Sequence, residues 1–195
     1  MSLDPARWYP VAASDDLPPG HVYQTMLGGQ GLAIWRTASG RVNIWADRCP
    51  HRGVRLSVGI ALGEELRCQY HAWRFASGSG ACTHIPAQPA TRPAAVIRAT
   101  LWPVAERSGL VWSGIAPHGT PPEIAGEVPR AIPVNRDAPA VEAALDVAGG
   151  ALFFVQPVAA ERCVIRGIAP VPADLRALDA GLERLRDALE VAAPC

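Results

Sequence analysis

The chain of 195 residues is long enough for one sizeable core, or for a domain with an appendage. Its 18 basic residues, all arginine, balance 18 acidic ones, which gives nucleic acid or an anionic membrane no electrostatic reason to bind. Five cysteines form an odd, sparse set that fits a reducing compartment better than a disulfide scaffold. The opening MSLDPARWYPVAASDDLPPG has no basic stretch followed by an apolar run, and no segment reaches the ~20 apolar residues of a membrane helix. The expectation is a soluble, cytoplasmic protein.

In chain order, VYQTML (22–27), GLAIWRT (31–37) and RVNIWA (41–46) read as strands, with TASGR at 37–41 as a hairpin turn. LRCQYH (66–71), AAVIRATLWPV (94–104) and GLVWSGI (109–115) continue the pattern, so residues 1–116 are expected to form a small, mainly β domain. The proline-laden stretch 117–140 reads as a connector. ALFFVQPVAA and RCVIRGIAP then predict two strands turning at Ala160–Arg162. From 173 to 191 leucines 175, 178, 182, 185 and 189 recur at helical spacing, behind Pro170 and Pro172 at the N-terminal boundary. Residues 141–195 thus predict a short α+β appendage ending in an amphipathic helix.

The chemistry concentrates in two short segments, CPHRG at 49–53 and CQYHAW at 68–73. Each carries one cysteine and one histidine, and 16 residues separate His51 from Cys68. Thiolate and imidazole are ligands for zinc, copper and iron–sulfur centres. A zinc finger more often takes both cysteines from one knuckle and both histidines from a helix. Alternation of Cys and His between two loops suits a Rieske [2Fe–2S] cluster, in which two cysteines hold one iron and two histidines the other. A zinc-binding, non-redox module is the alternative for the same four side chains.

CPHRG…CQYHAWRF resembles the cluster motif of Rieske proteins. With WYPVA (8–12), ACTHIPAQP (81–89) and GLVWSG (109–114), the chain is similar to the N-terminal domain of Rieske non-haem iron ring-hydroxylating oxygenases of the vanillate demethylase and phthalate dioxygenase type. The resemblance implies that Cys49 and Cys68 ligate one iron and His51 and His71 the other. Arg52, Gly53, Tyr70 and Trp73 would surround them, and both histidines would lie near solvent. Ala72 stands where the family usually has glycine, which raises the question of whether that loop reaches a positive φ. Trp73 and Phe75 occupy places where high-potential relatives carry hydroxyl donors. Fewer hydrogen bonds to the sulfurs imply a potential at the low end of the Rieske range, roughly −150 to +300 mV.

An oxygenase of this kind also needs a mononuclear iron held by two histidines and a carboxylate. In the family, Asp-x2-His-x4-His supplies part of that triad. The best-fitting stretch here, EAALDVAGGALFF (142–154), offers Asp146 but puts Gly149 and Phe154 at the histidine positions. Of the five histidines (21, 51, 71, 84 and 118), none follows 118. Residues 141–195 therefore read as the remnant of a catalytic domain. No catalytic residue is expected, and Asp146 reads as an ordinary carboxylate. Cys82 and Cys163 are expected to act as small apolar residues, and Cys195 as a free terminal thiol. The leading expectation is a low-potential, ferredoxin-like electron carrier served by a reductase and delivering to an oxygenase component. The alternative is a subunit of a ring-hydroxylating oxygenase, for which the resemblance implies a trimer.

Overall fold

The computed structural model describes residues 3–145 and 150–191. In chain order it contains β1 (Tyr9–Ala13), β2 (Val22–Leu27), β3 (Gln30–Arg36), β4 (Val42–Ala46), β5 (Ile60–Leu62), β6 (Glu65–Arg67), β7 (Arg74–Ala76) and β8 (Cys82–His84). Then follow β9 (Ala105–Arg107), β10 (Leu110–Ser113), β11 (Ile132–Val134), α1 (Ala138–Ala144), β12 (Leu152–Ala159), β13 (Arg162–Ile168) and α2 (Leu175–Val191). The mainly β expectation with a closing helix holds. Among the described residues the strands form four small antiparallel sheets, ordered β1-β10-β9, β2-β3-β4, β5-β6-β7-β8 and β11-β13-β12.

Two compact units result, one of residues 15–25 and 30–104, the other of 1–14, 26–29 and 105–195. They do not coincide with the division 1–116, 117–140 and 141–195. Tyr9–Ala13 pairs with Leu110–Ser113, and Leu110 and Trp112 share a cluster with Ile168 and Phe154, which draws both ends of the first segment into the second unit.

In the unit 15–25 plus 30–104, β3 lies centrally and buries four consecutive side chains, Leu32–Trp35. Its sheet-mate β4 buries Val42–Trp45, so both strands are buried on both faces instead of alternating; the one polar member, Asn43, accepts from the Gly78 N–H through Oδ1 (2.8 Å). In the four-stranded sheet the strands are short and alternate. Ala61, Leu66, Phe75 and Cys82 face one another in register and are buried. Trp35 and Trp45 meet edge to face at 5.2 Å, and Phe75 extends the contact at 6.5 Å from Trp45. Cys49 and Cys68 belong to this same core.

In the other unit, β13 is flanked by β11 and β12. Leu182 is buried beneath α2 against Ile132, Val134, Val155 and Ile165, with Leu185 and Leu189 partly covered beside it. The C-terminal part of the leucine stripe thus packs on its own unit. Cys163 is fully buried there, as its strand context implied, and burial, reinforced by Asp137 and Glu142, pushes its thiol up to about 12. A buried polar link stiffens this unit: Arg166 donates from Nε to Gln156 Oε1 (2.9 Å) and from a terminal nitrogen to the Val11 carbonyl (3.1 Å). Gln156 in turn donates to the Met26 carbonyl at 2.8 Å.

Three sequence readings are corrected. The stretch 94–104 makes only isolated bridges, Ala81 with Arg98 and Trp45 with Leu101, because Pro93 and Pro103 bracket it and Val96 is 83% exposed. The run LRCQYH stops as a strand at Arg67, where the chain turns. The connector is not featureless: β11 forms at Ile132–Val134 and α1 begins at Ala138. Pro133 is tolerated because β11 is an edge strand, and α1 opens with proline in its first turn. Asp146, Gly149 and Cys195 lie outside the described residues.

Candidate metal centre

The first of the two motif segments leaves β4 and the second joins β6 to β7. Their backbones close in the same way. The Cys49 N–H donates to the Val54 carbonyl (2.8 Å) and its own carbonyl accepts from the Gly53 N–H (2.9 Å). The Cys68 N–H donates to the Trp73 carbonyl (2.8 Å) and its carbonyl accepts from the Ala72 N–H (3.0 Å). Position by position, Cys49, Gly53 and Val54 match Cys68, Ala72 and Trp73. Such a turn needs a left-handed residue in its fifth place. Gly53 provides it at φ 74°, and Ala72 adopts it at φ 56° despite its Cβ.

The first loop is also tied at its base. The Asp47 carboxylate accepts from the backbone N–H and the hydroxyl of Ser57, both at 2.7 Å. Neither residue was singled out by motif reading. An Asp preceding the first cysteine by two positions, with a serine just beyond the loop, is the signal that was available.

These closures bring the four singled-out side chains together. Cys49 and Cys68 are each 2% exposed, whereas His51 is half-buried and His71 exposed. The histidine rings stand 4.7 Å apart between centroids. Two buried thiols therefore sit inward and two imidazoles outward. Burial pushes the Cys49 thiol up to about 11, and the neighbouring Cys68 adds to the rise, against backbone N–H groups of His51 and Arg52 directed at its sulfur. His51 is held below the usual histidine range, first by desolvation, then by the charges of His71 and Arg52. Thiol-bearing sites of this kind become stable thiolates only by binding a cation.

Aromatic side chains flank both imidazoles. Trp73 stacks on His51 with centroids 4.2 Å apart and planes 8° from parallel. Tyr70 lies 3.9 Å from the His71 ring, tilted by 38°. A third segment, Ile85–Gln88, joins His51, His71, Trp73 and Ile97 around a cavity of about 520 Å³. Its sequence, within ACTHIPAQP, carried part of the family resemblance but no expected site residue. Arg52 is exposed at the tip of the first loop, and the Arg48 guanidinium packs against Gly53.

The donor chemistry fits a cluster. Two thiols and two imidazoles, one of each from each turn, form a two-plus-two set, which a [2Fe–2S] centre needs because bridging sulfides complete each iron.

Paired turns of this design, set on small antiparallel sheets, define a Rieske-type iron–sulfur domain. Comparison with known proteins agrees: residues 7–101 match the family model described as the Rieske [2Fe-2S] domain, and this segment belongs to that family. Its cofactor is accordingly a Rieske-type [2Fe–2S] cluster. The chain is 42% identical over 147 residues to oxidoreductase NdmD of Pseudomonas putida, covering 74% of this chain and 25% of that protein. It is 37% identical over 107 residues to the 4beta-methylsterol monooxygenase of Methylococcus capsulatus, covering 54% of this chain and 29% of that protein. The chain thus spans only about a quarter of the length of these curated relatives. In fold it is similar to the crystal structure of dicamba monooxygenase, with TM-score 0.78 at 18% identity, over 98% of this chain and 87% of that one. NdmB of Pseudomonas putida CBB5 gives TM-score 0.75 at 18% identity, over 96% and 82%.

Proposed function

We propose that the chain is a low-potential, ferredoxin-like carrier of single electrons, with Cys49 and Cys68 on one iron of the cluster and His51 and His71 on the other. The observation that carries this reading is the pair of equivalent turns, which set two thiols inside and two imidazoles at the surface. When bound, the cluster supplies reversible one-electron redox chemistry. The chain's own residues do the rest. The buried core around Trp45, Leu66 and Phe75 keeps water from the thiol side. Trp73 fixes the plane of His51, and His71 leaves an edge open toward solvent.

Two observations favour a carrier over a self-contained oxygenase. No histidine follows His118, so residues 119–195 cannot provide a two-histidine iron site. The likeness to NdmD, an oxidoreductase, extends over more residues than the family-model match. On this reading 117–140 is a connector and 141–195 the remnant of an oxygenase catalytic domain; the fold likeness to dicamba monooxygenase over 98% of the chain supports that origin. The likeness to the 4beta-methylsterol monooxygenase favours a second role, as a non-catalytic or catalytic subunit of a ring-hydroxylating oxygenase assembled as a trimer. A reductase would be the donor and an oxygenase component the acceptor, in the cytoplasm. No helix among the described residues is long and apolar enough to cross a membrane.

Iron and sulfide analysis with EPR of the reduced protein tests the proposal. Two irons and two sulfides per chain with a Rieske-type signal are expected, and Cys49→Ser or His71→Ala should abolish that signal. Stoichiometric zinc without visible absorption would replace the reading by a structural zinc site. A third iron with substrate-dependent oxygen uptake would replace it by an oxygenase.

A further inference from the structure

The chain is neutral overall, but its charge is unevenly distributed. Between residues 48 and 98 there are seven arginines and two glutamates, whereas the acidic excess falls elsewhere in the sequence. One part of this bias is exactingly placed. In the four-stranded sheet Ile60, Arg67, Arg74 and His84 are successive cross-strand partners, so they form one row across the face opposite the buried Ala61–Leu66–Phe75–Cys82 row. Two arginines directly opposite each other repel, and like charges in that position destabilise a sheet. Among the described residues the carboxylate that answers them is Glu65, 3.8 Å from Arg74, a contact too long to be a good hydrogen bond. Arg67 has no ion pair with any described residue, and neither does Arg52 at the tip of the first loop.

The row borders the redox site. Arg67 immediately precedes Cys68, Arg74 immediately follows Trp73, and beyond His84 the chain becomes the Ile85–Gln88 wall beside His51 and His71. Arg52 adjoins His51 and is exposed. Arg52 at the tip of the first loop and Arg67 at the start of the second, neither paired with a described carboxylate, thus flank in sequence the two histidines, whose cavity is otherwise lined by the largely apolar Ile85, Pro86, Ala87 and Ile97. A carboxylate-bearing surface would relieve the Arg67–Arg74 repulsion while bringing a partner's redox group against the imidazoles. Arginine also suits such a surface because it binds carboxylates bidentately.

We propose that Arg52, Arg67 and Arg74 make the histidine edge the docking surface for an acidic electron-donor protein. The inference rests on the electron-carrier reading and adds the chemistry of the partner. Long-range attraction would raise the encounter rate, and short-range pairing would set the orientation.

An acidic plant-type [2Fe–2S] ferredoxin in its oxidised form serves as the probe, and binding to the full chain is measured by calorimetry at low and at high salt. Affinity should fall at least tenfold between 20 mM and 300 mM salt, as screening shortens the reach of surface charge. At low salt Arg52→Glu should weaken binding by about tenfold, with Arg52→Gln and Arg67→Gln intermediate. Arg176→Glu, an equal change of net charge on exposed α2, should leave affinity unaltered. No binding at low salt, salt-independent binding, or equal weakening by the Arg176 variant would overturn the docking surface. Iron and sulfide analysis of the same preparations separates the two readings. A chain without cluster would sink the carrier reading, whereas a loaded chain indifferent to salt and to Arg52 would sink only the docking surface.

Discussion

Replacing Ala72 by glycine should make the protein more stable, an unusual direction for a substitution beside a metal site. Ala72 holds φ 56° to close the second turn, where Gly53 holds φ 74° in the first. A left-handed conformation costs a residue with a Cβ roughly 1–2 kcal/mol. Glycine removes that cost but loses about 0.5–1 kcal/mol through its greater freedom in the unfolded chain. The difference leaves Ala72→Gly ahead by about 0.5–1 kcal/mol. For a chain of this size that is a rise of about 1–4 °C in Tm. Gly53→Ala is the mirror experiment. It should cost a similar amount, and its new Cβ would lie 3.3 Å from Arg48 Nε, so that side chain must also give way. The assay is thermal unfolding of the loaded protein, followed by far-UV circular dichroism and by the visible band together. If Ala72→Gly melts at or below the parent while Gly53→Ala is silent, the two turns are not strained equivalents and the reasoning fails.

The cluster's midpoint potential should lie below zero, since neither Trp73 nor Phe75 offers a hydroxyl to the sulfurs; protein-film voltammetry would expose the error as a clearly positive value. Stability should decline in alkali. Burial raises the Cys163 thiol from 9.0 to about 12, so the folded state retains a proton that the unfolded chain releases. That contribution is intact below pH ~9 and is lost as pH climbs toward the folded-state value, and Cys163→Ala should flatten this limb of a pH-stability curve measured with urea. Leu182→Ala should cost about 2–4 kcal/mol, because its side chain is 6% exposed in a core it shares with β11 and β13; an effect below 1 kcal/mol in denaturant titration would show that α2 is not firmly packed.

Much of the site could be read from residue type and spacing, because ligand chemistry is local. C-x-H and C-x2-H already state which atoms can meet. What surrounds them depends on pairing that spacing does not encode. The motif places Trp73 near the ligands but not its stacking on His51, and the Asp47–Ser57 tie is invisible in sequence because each residue alone is ordinary. In the fold, the hairpin at 37–41, the β12–β13 pair and α2 were legible from turn chemistry and periodicity. The apolar composition of 94–104 predicts a strand, but Pro93 and Pro103 leave little ladder to form. β11 and α1 hid behind prolines that an edge strand and a first helical turn accommodate without loss.

The equivalence of the two turns bears on more than redox chemistry. Each turn closes on its own backbone, so neither needs the other to keep its shape. With one cysteine and one histidine drawn from each, as proposed, the cluster would act as a cross-link between the two loops, fastening positions 49 and 68 as a disulfide would, but through four bonds instead of one. A clip across a loop of that length restricts the unfolded chain as well as the folded one. Iron supply would then regulate how long the protein survives in the cell, in addition to whether it can carry an electron.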